Sequence, residues 1–200
     1  MRVAICTPSR DEVKAGYCFA LASLILANTY SMTLTVLNER GPDVSRLRNR
    51  LVERALKLDV DALLWVDADI IFPLSGLSRL LAHDAPIVGA TYALRSQLHA
   101  ENKTPMLAHE EFDSIPVNVS TDVKGARRIK SLPGGALLVK SEVYSNNVFS
   151  PWYERVSDDT PEDWHFCAKA RKAGIDILLD SVLSSQVLHL GEFAYGVNPC

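Results

Sequence analysis

The sequence predicts an α/β fold with a mostly parallel central sheet flanked by helices. Three observations carry that prediction. Apolar, strand-like runs alternate with helical stretches through the first half of the chain. Those runs are apolar at consecutive positions, as strands buried on both faces are. Two of them, "RVAIC" and "DALLWVD", lead into polar residues at their carboxyl ends, where open α/β sheets bind ligands. At 200 residues the chain suits one domain with a sizeable core, and residues 1–200 are read as one unit.

The elements follow in order. "RVAIC" is the first strand and "TPSRD" its loop, followed by a helix over about Val13 to Ala27 and a strand "MTLTVL" at 32–37. "NERGPD" is a Gly/Pro turn, and a helix runs from about Ser45 to Leu58. After the strand "DALLWVD", Pro73 suits the first turn of a helix ending near His83, and "APIVGATY" is another strand. Residues 95–131 hold no long helical period and read as loops and short antiparallel strands. "GGALLVKSEVY" restores a strand and a short helix. "TPEDWHFCAKARKAG" is a helix with Thr160 as N-cap, Pro161 in the first position and Gly174 beyond its end. "IDILLD" and "VLSSQVLHLGEF" read as closing strands.

Composition narrows the function classes. A net charge of −3 gives no general attraction to nucleic acid or anionic membrane. Cys6, Cys18, Cys167 and Cys200 show no CxxC spacing, so neither a zinc site nor a disulfide framework is indicated, and reduced thiols in a cytoplasm are the simplest account. The apolar stretch "CFALASLILA" is too short to span a bilayer and lies behind Asp11, Glu12 and Lys14, unlike a signal peptide. No transmembrane segment is expected.

The chemistry concentrates in "LLWVDADIIFP", residues 63–73. Asp67 and Asp69, two apart on an extended segment, point to the same side. Two carboxylates held that close repel unless a cation or a donor-rich ligand lies between them. One acid could instead cap the following helix or face water. In the preceding helix, "SRLRNRLVERALKL", Leu47, Leu51, Val52, Ala55, Leu56 and Leu58 fall on one half at about 100° per residue. Arg48 falls in the middle of that apolar arc and Asn49 at its edge. A buried arginine needs a carboxylate or a phosphate, so Arg48 is either paired with Asp67 or a ligand contact. Arg46, Arg50, Arg54 and Lys57 fall on the polar arc.

"AICTPSRD", "RLRNRLVERAL", "LLWVDADIIFP", "IVGATY", "GGALLVKSEV", "PEDWHFCAKARKAGI" and "HLGEFAY" occur in an order that resembles GT-A glycosyltransferases, the small family-two-like enzymes of bacteria and phages. The resemblance covers most of the chain and is weakest between about 95 and 131. It implies a nucleotide-binding half at about 1–94 and an acceptor-binding and catalytic half at about 95–200. It implies hexosyl transfer from a nucleotide-diphosphate sugar, a UDP-sugar first, to a hydroxyl acceptor with inversion, assisted by Mn2+ or Mg2+. By this likeness Thr7, Pro8, Ser9 and Arg10 line the nucleotide pocket with Arg48, Asn49 and Asp67. Asp69 and His189 hold the metal, and Gly134 and Gly135 pass close to donor sugar and acceptor, where glycine suits a close backbone approach. Asp163 matches the catalytic base, with Glu162 as its fallback. Trp164 and Trp152 could stack on a sugar ring or pack in the core. Physical chemistry leaves rivals beside each role: Thr160 and Asp163 have the spacing of a capping box, and a lone His189 on a strand could be a core residue.

The acceptor class stays open between a saccharide, a lipid-linked sugar and a modified nucleic-acid base. The basic stretch "KGARRIK", 124–130, could meet a phosphate-bearing acceptor or form a solvated hairpin. The setting the resemblance implies is the cytoplasm of a bacterium or of a phage-infected host. Alternatives are a nucleotide-sugar binding protein without turnover, a nucleotidyltransferase, and a haloacid-dehalogenase-like phosphatase using Asp67 as nucleophile, with "SDD" at 157–159 as its later acids. The loop "TPSRDEVKAG" lacks the Gly-rich phosphate cradle that a nucleotidyltransferase wants.

Overall fold

A computed structural model describes residues 1–93, 125–145, 150–157 and 160–191 and the backbone of 194–195. The expected loops and strands of 95–124, Asp158 and Asp159 therefore lie outside the described residues, as do Glu192 and Phe193 of "HLGEF".

The first half runs β1 (Arg2–Ser9), α1 (Ala15–Asn28), β2 (Thr33–Arg40), α2 (Val44–Lys57), β3 (Ala62–Val66), β4 (Ile70–Ile71), α3 (Gly76–Leu81) and β5 (Ile87–Gly89). After it come β6 (Ala126–Arg128), β7 (Ala136–Lys140), α4 (Ser141–Ser145), α5 (Glu162–Lys172), β8 (Ile177–Asp180), α6 (Ser181–Ser184), β9 (Leu188–Leu190) and β10 (Ala194–Tyr195). Seven strands form one sheet in the order β2-β1-β3-β7-β5-β8-β6. β1 pairs parallel with β2 and β3, and β5 parallel with β8, while β7 and β6 run against the rest. The sheet is thus mostly parallel, as predicted, with one antiparallel strand in its centre that the sequence pattern did not foretell. A second sheet, β10-β9-β4, stands beside it.

Alternation along the central strands gives each face its own core. Ala4 and Cys6 of β1 with Leu63 and Trp65 of β3 point to one side, where Leu51, Val52 and Ala55 of α2 and Phe166 of α5 meet them. Val3 and Ile5 with Ala62, Leu64 and Val66 point to the other, against Tyr17 and Leu24 of α1 and Leu77 and Leu80 of α3. The predicted arc of α2 is the buried one, with Arg48 inside it; Leu58, beyond the helix, is exposed.

Several boundaries differ from expectation. β1 continues through Ser9 into the expected loop, and β2 through Arg40 into the expected turn, because the two strands stay paired to Ser9 and Arg40. α1 begins at Ala15, not Val13, and α3 begins only at Gly76. Pro73 opens a preceding turn, its carbonyl accepting from the Gly76 amide. α5 takes Pro161 as its N-cap residue, because Thr160 is drawn into an antiparallel bridge with Ser157. The segment before β9 is a helical turn, α6, whose cap is the Asp180 carboxylate accepting from the Leu183 amide. "ARR" within the basic stretch is an edge strand, β6, antiparallel to β8, not a free hairpin.

Candidate functional site

The site forms where three strand ends meet. β3 stops at Val66, and β7 pairs with it so that Val66 lies opposite Ala136. One step on, the Asp67 amide donates to the Gly135 carbonyl at 3.2 Å. The chain then bends through Ala68 and Asp69 into β4, where Ile70 pairs with His189 of β9 and the Leu190 amide donates to the Asp69 carbonyl at 2.7 Å. Strand pairing alone thus sets Asp67 against the glycine pair and Asp69 against the histidine.

Asp67 is held by a buried arginine. Arg48 Nη2 donates to Asp67 Oδ1 at 3.0 Å, Nη1 to the Gly134 carbonyl at 3.2 Å and Nε to Glu162 Oε1 at 3.2 Å. Its guanidinium lies 5.2 Å from the centre of the Trp65 ring and 5.7 Å from that of Tyr153. All three nitrogens are occupied and the residue is 2% exposed, so of the two expectations for Arg48 the geometry shows the pairing with Asp67. The Asn49 amide donates to the Tyr153 carbonyl and accepts from the Tyr153 amide, so it fixes the 150–157 loop while its body lines the cleft. Burial raises the Asp67 carboxyl above the ordinary range, and the charge of Arg48 works against that rise.

The glycine pair is small for a reason internal to this network. A Cβ on Gly134 would come within 2.7 Å of Arg48 Nη2, and one on Gly135 within 2.7 Å of Asp67 Oδ2. Tyr92, which the sequence reading left without a role, accepts the Gly135 amide on its hydroxyl at 3.1 Å.

Asp163 does not sit in a capping box. Its Oδ2 accepts from the Gly134 amide at 2.8 Å and its Oδ1 from the Trp164 amide at 2.9 Å. Burial, with the nearby Glu162 charge, pushes its carboxyl up to about 6, against the pull of Arg48 and the two amides. Glu162, the fallback base, is the counter-ion of Arg48 and is buried, which argues against a separate catalytic role. Trp164 stands half-buried on the first turn of α5.

His189 is oriented as a ligand would be. Its Nδ1 lies 2.8 Å from the Ala93 carbonyl, so that nitrogen carries the proton, and Nε2 faces Asp69 Oδ2 at 3.5 Å. The Tyr92 ring packs edge-on against the imidazole at 5.1 Å. No group of three or more His, Cys, Asp or Glu able to hold a metal occurs among the described residues. One carboxylate suits Mg2+ or Mn2+ when phosphate oxygens and water complete the shell, and the imidazole is a softer donor beside it.

Beside these residues opens a cleft of about 1260 Å3. Pro8, Ser9, Arg10, Asn49, Asp67 and Asp69 line it, whereas Thr7 lies beneath, its hydroxyl bonded to that of Tyr17 at 2.5 Å. Asp163, Gly134, Gly135, Trp164 and His189 are not among the residues that line it. The sequence reading missed one wall. Pro42 through Arg46, Arg50 and Glu53 line the cleft from the start and outer arc of α2, so the polar arc is partly the cleft's own lining. The one-turn spacing of Arg46, Arg50 and Glu53 was the available signal.

A197 from STIV matches with a TM-score of 0.65 at 14% identity, covering 99% of this chain and 95% of that one. The likeness to A197 is one of fold. A glycosyltransferase involved in the glycosylation of the major capsid of PBCV-1 matches at a TM-score of 0.34 and 14% identity, over 74% of this chain and 68% of that one, and at that level it supports no statement about this chain. No protein-family model matches, and no curated protein matches. Among the described residues no helix is long and apolar enough to cross a membrane.

Proposed function

We propose that this chain is a GT-A-fold glycosyltransferase that moves a sugar from a nucleotide-diphosphate sugar, a UDP-sugar first, to a hydroxyl acceptor with inversion, acting in the cytoplasm. The observation that carries the reading is the meeting of Asp69 and His189. They are 120 positions apart, yet β4 and β9 bring them together at a strand end with the imidazole's other nitrogen anchored on Ala93. Asp69 and His189 would hold Mn2+ or Mg2+, which offsets the charge of the departing diphosphate. Pro8, Ser9 and Arg10 form the wall against which the nucleoside lies, and Asp67, kept in place by Arg48, accepts from its hydroxyls. Asp163 takes the acceptor proton, its raised carboxyl suiting it better to that task than an ordinary aspartate.

One observation favours a second reading, nucleotide-sugar binding without turnover: both oxygens of Asp163 already accept backbone amides. The antiparallel β7 beside β3 is not the doubly wound arrangement that the phosphatase alternative needs, so that reading is set aside.

The test is calorimetric titration of UDP, GDP, CDP and their sugar conjugates, with and without Mn2+, on the wild type and Asp69→Asn. The expected result is Mn2+-dependent binding of one nucleotide, lost in the variant. Equal binding by both proteins removes the metal assignment, and binding of no nucleotide ends the transferase reading. Release of nucleoside diphosphate from the bound donor separates turnover from binding.

A further inference from the structure

α1 is built differently from the other helices. Its sequence, AGYCFALASLILAN, holds no charged residue and its apolar residues go all the way round, a pattern expected of a helix covered on both sides. One side is covered: Tyr17, Leu24 and Asn28 are buried against the sheet. The other side is open. Phe19 is 77% exposed, Leu26 73%, and Tyr30, just past the helix end, is wholly exposed.

These three side chains are not scattered. At about 100° per residue, positions 15, 19, 22, 26 and 30 fall within one narrow stripe. Along it the sizes read small, large, small, large, large: Ala15, Phe19, Ala22, Leu26, Tyr30. We propose that this stripe is the contact surface for a second copy of the same chain, the two α1 helices packing antiparallel about a two-fold axis between Ala22 and Ser23.

The stripe matches itself under that operation. Ala15 faces the partner's Tyr30, Phe19 faces the partner's Leu26, and Ala22 faces the partner's Ser23, so large side chains meet small ones at the ends and the helix backbones approach closely at the centre. A two-fold interface requires such self-complementarity, and a contact with an unrelated protein does not. Area agrees. At about 150–250 Å2 for each large aromatic, Phe19, Leu26 and Tyr30 offer on the order of 500 Å2 per protomer. Doubled over a symmetric pair, this comes to about the 1,000 Å2 that a specific interface should clear. A lipid surface fits less well, since membrane-surface helices carry Lys and Arg on their polar face and α1 has no basic residue.

The experiment is sedimentation velocity from low to high micromolar concentration on the wild type, Phe19→Glu and Leu26→Glu, with cross-linking of Ala22→Cys in a Cys18→Ser background. The expected result is a concentration-dependent dimer. Either glutamate should weaken it by at least about tenfold, leaving the melting temperature unchanged at concentrations where the wild type is monomeric, because both positions then face solvent. Ala22→Cys should cross-link to a covalent dimer. A wild type that stays monomeric throughout, a dimer indifferent to both glutamates, or binding to anionic vesicles with no self-association would each overturn the proposal. Should a glutamate variant fail to fold, the Ala22→Cys cross-link decides alone, and its absence counts against the dimer.

Discussion

Asp67 and Asp69 are two residues apart on one bend, yet their surroundings have opposite characters. On the Asp67 side the partners are internal: a guanidinium whose nitrogens are occupied, two aromatic faces, a glycine carbonyl and a second carboxylate. On the Asp69 side stands a histidine at 3.5 Å. Both acids line the cleft, and Asp67 is in addition the anchor of a buried ion-pair network. A paired-acid motif read as a single ligand-binding unit conceals this division. Substitutions on the Asp67 side should therefore act on stability, and those on the Asp69 side on binding.

The largest expected effect is at Arg48. Arg48→Met removes the cation from between Asp67 and Glu162 and leaves a buried and a half-buried carboxylate without compensation, at a cost of about 3–5 kcal/mol. Urea denaturation measures it. Arg48→Lys should recover only part, because an ammonium cannot reproduce the forked contacts to three separate partners. A loss under about 1 kcal/mol for Arg48→Met would break the comparison, since Asp67 would then owe its position to something else.

A smaller effect is expected at Gly135. Alanine there drives a methyl group toward the Tyr92 hydroxyl and to 2.7 Å from Asp67 Oδ2, and the Asp67 amide bond to the Gly135 carbonyl limits how far the backbone can move away. Overpacking of this kind costs on the order of 1–3 kcal/mol. Because Tyr92 also packs on His189, the strain should reach the open side as weaker Mn2+-dependent nucleotide binding beyond the stability loss. Thermal melts paired with calorimetry read both, and melting without any change in binding would show the two sides to be independent.

The same division explains what could be read from the sequence. The strand–helix order to β5 was legible because strands buried on both faces are apolar throughout and α2 is strongly one-sided. Arg48 stood out because a cation in the middle of an apolar arc has to be paired, although the helix pattern could not say whether a carboxylate or a phosphate would pair it. The central antiparallel strand was hidden: "ALLVK" is apolar in either direction, and strand direction is set by which neighbour it finds. Thr160 misled because a capping signature is local, whereas the bridge to Ser157 is not. Tyr92 carried no signal at all, since a tyrosine after a buried strand is ordinary until its hydroxyl is seen beneath a glycine amide. The exposed arc of α2 gave charge without direction, and only the fold turned part of it toward a cleft.

The finest test concerns Asp163, which stands between the two sides. Its carboxyl is raised from the ordinary 3.8 to about 6, first by burial and then by the Glu162 charge. Between those values the folded chain keeps a proton that the unfolded chain gives up, so this residue makes stability fall as pH rises through the window. Asp84 and Asp180 have lowered carboxyls and contribute the opposite slope, so the total is not informative, but the difference between wild type and Asp163→Asn isolates the one residue. Asparagine still offers an oxygen to the Gly134 amide and no longer titrates. Relative to wild type the variant should gain on the order of 1–3 kcal/mol on going from pH 4.5 to pH 7. A base must be ionised, so donor turnover by the wild type should instead fall as pH drops through about 6, while Asp163→Asn binds nucleotide and turns over none. Stability and turnover would then move in opposite directions across one window, which a merely structural aspartate cannot produce. If the stability difference appears and the turnover profile stays flat, Asp163 belongs wholly to the Arg48 side, and the chain binds its nucleotide without using this residue as a base.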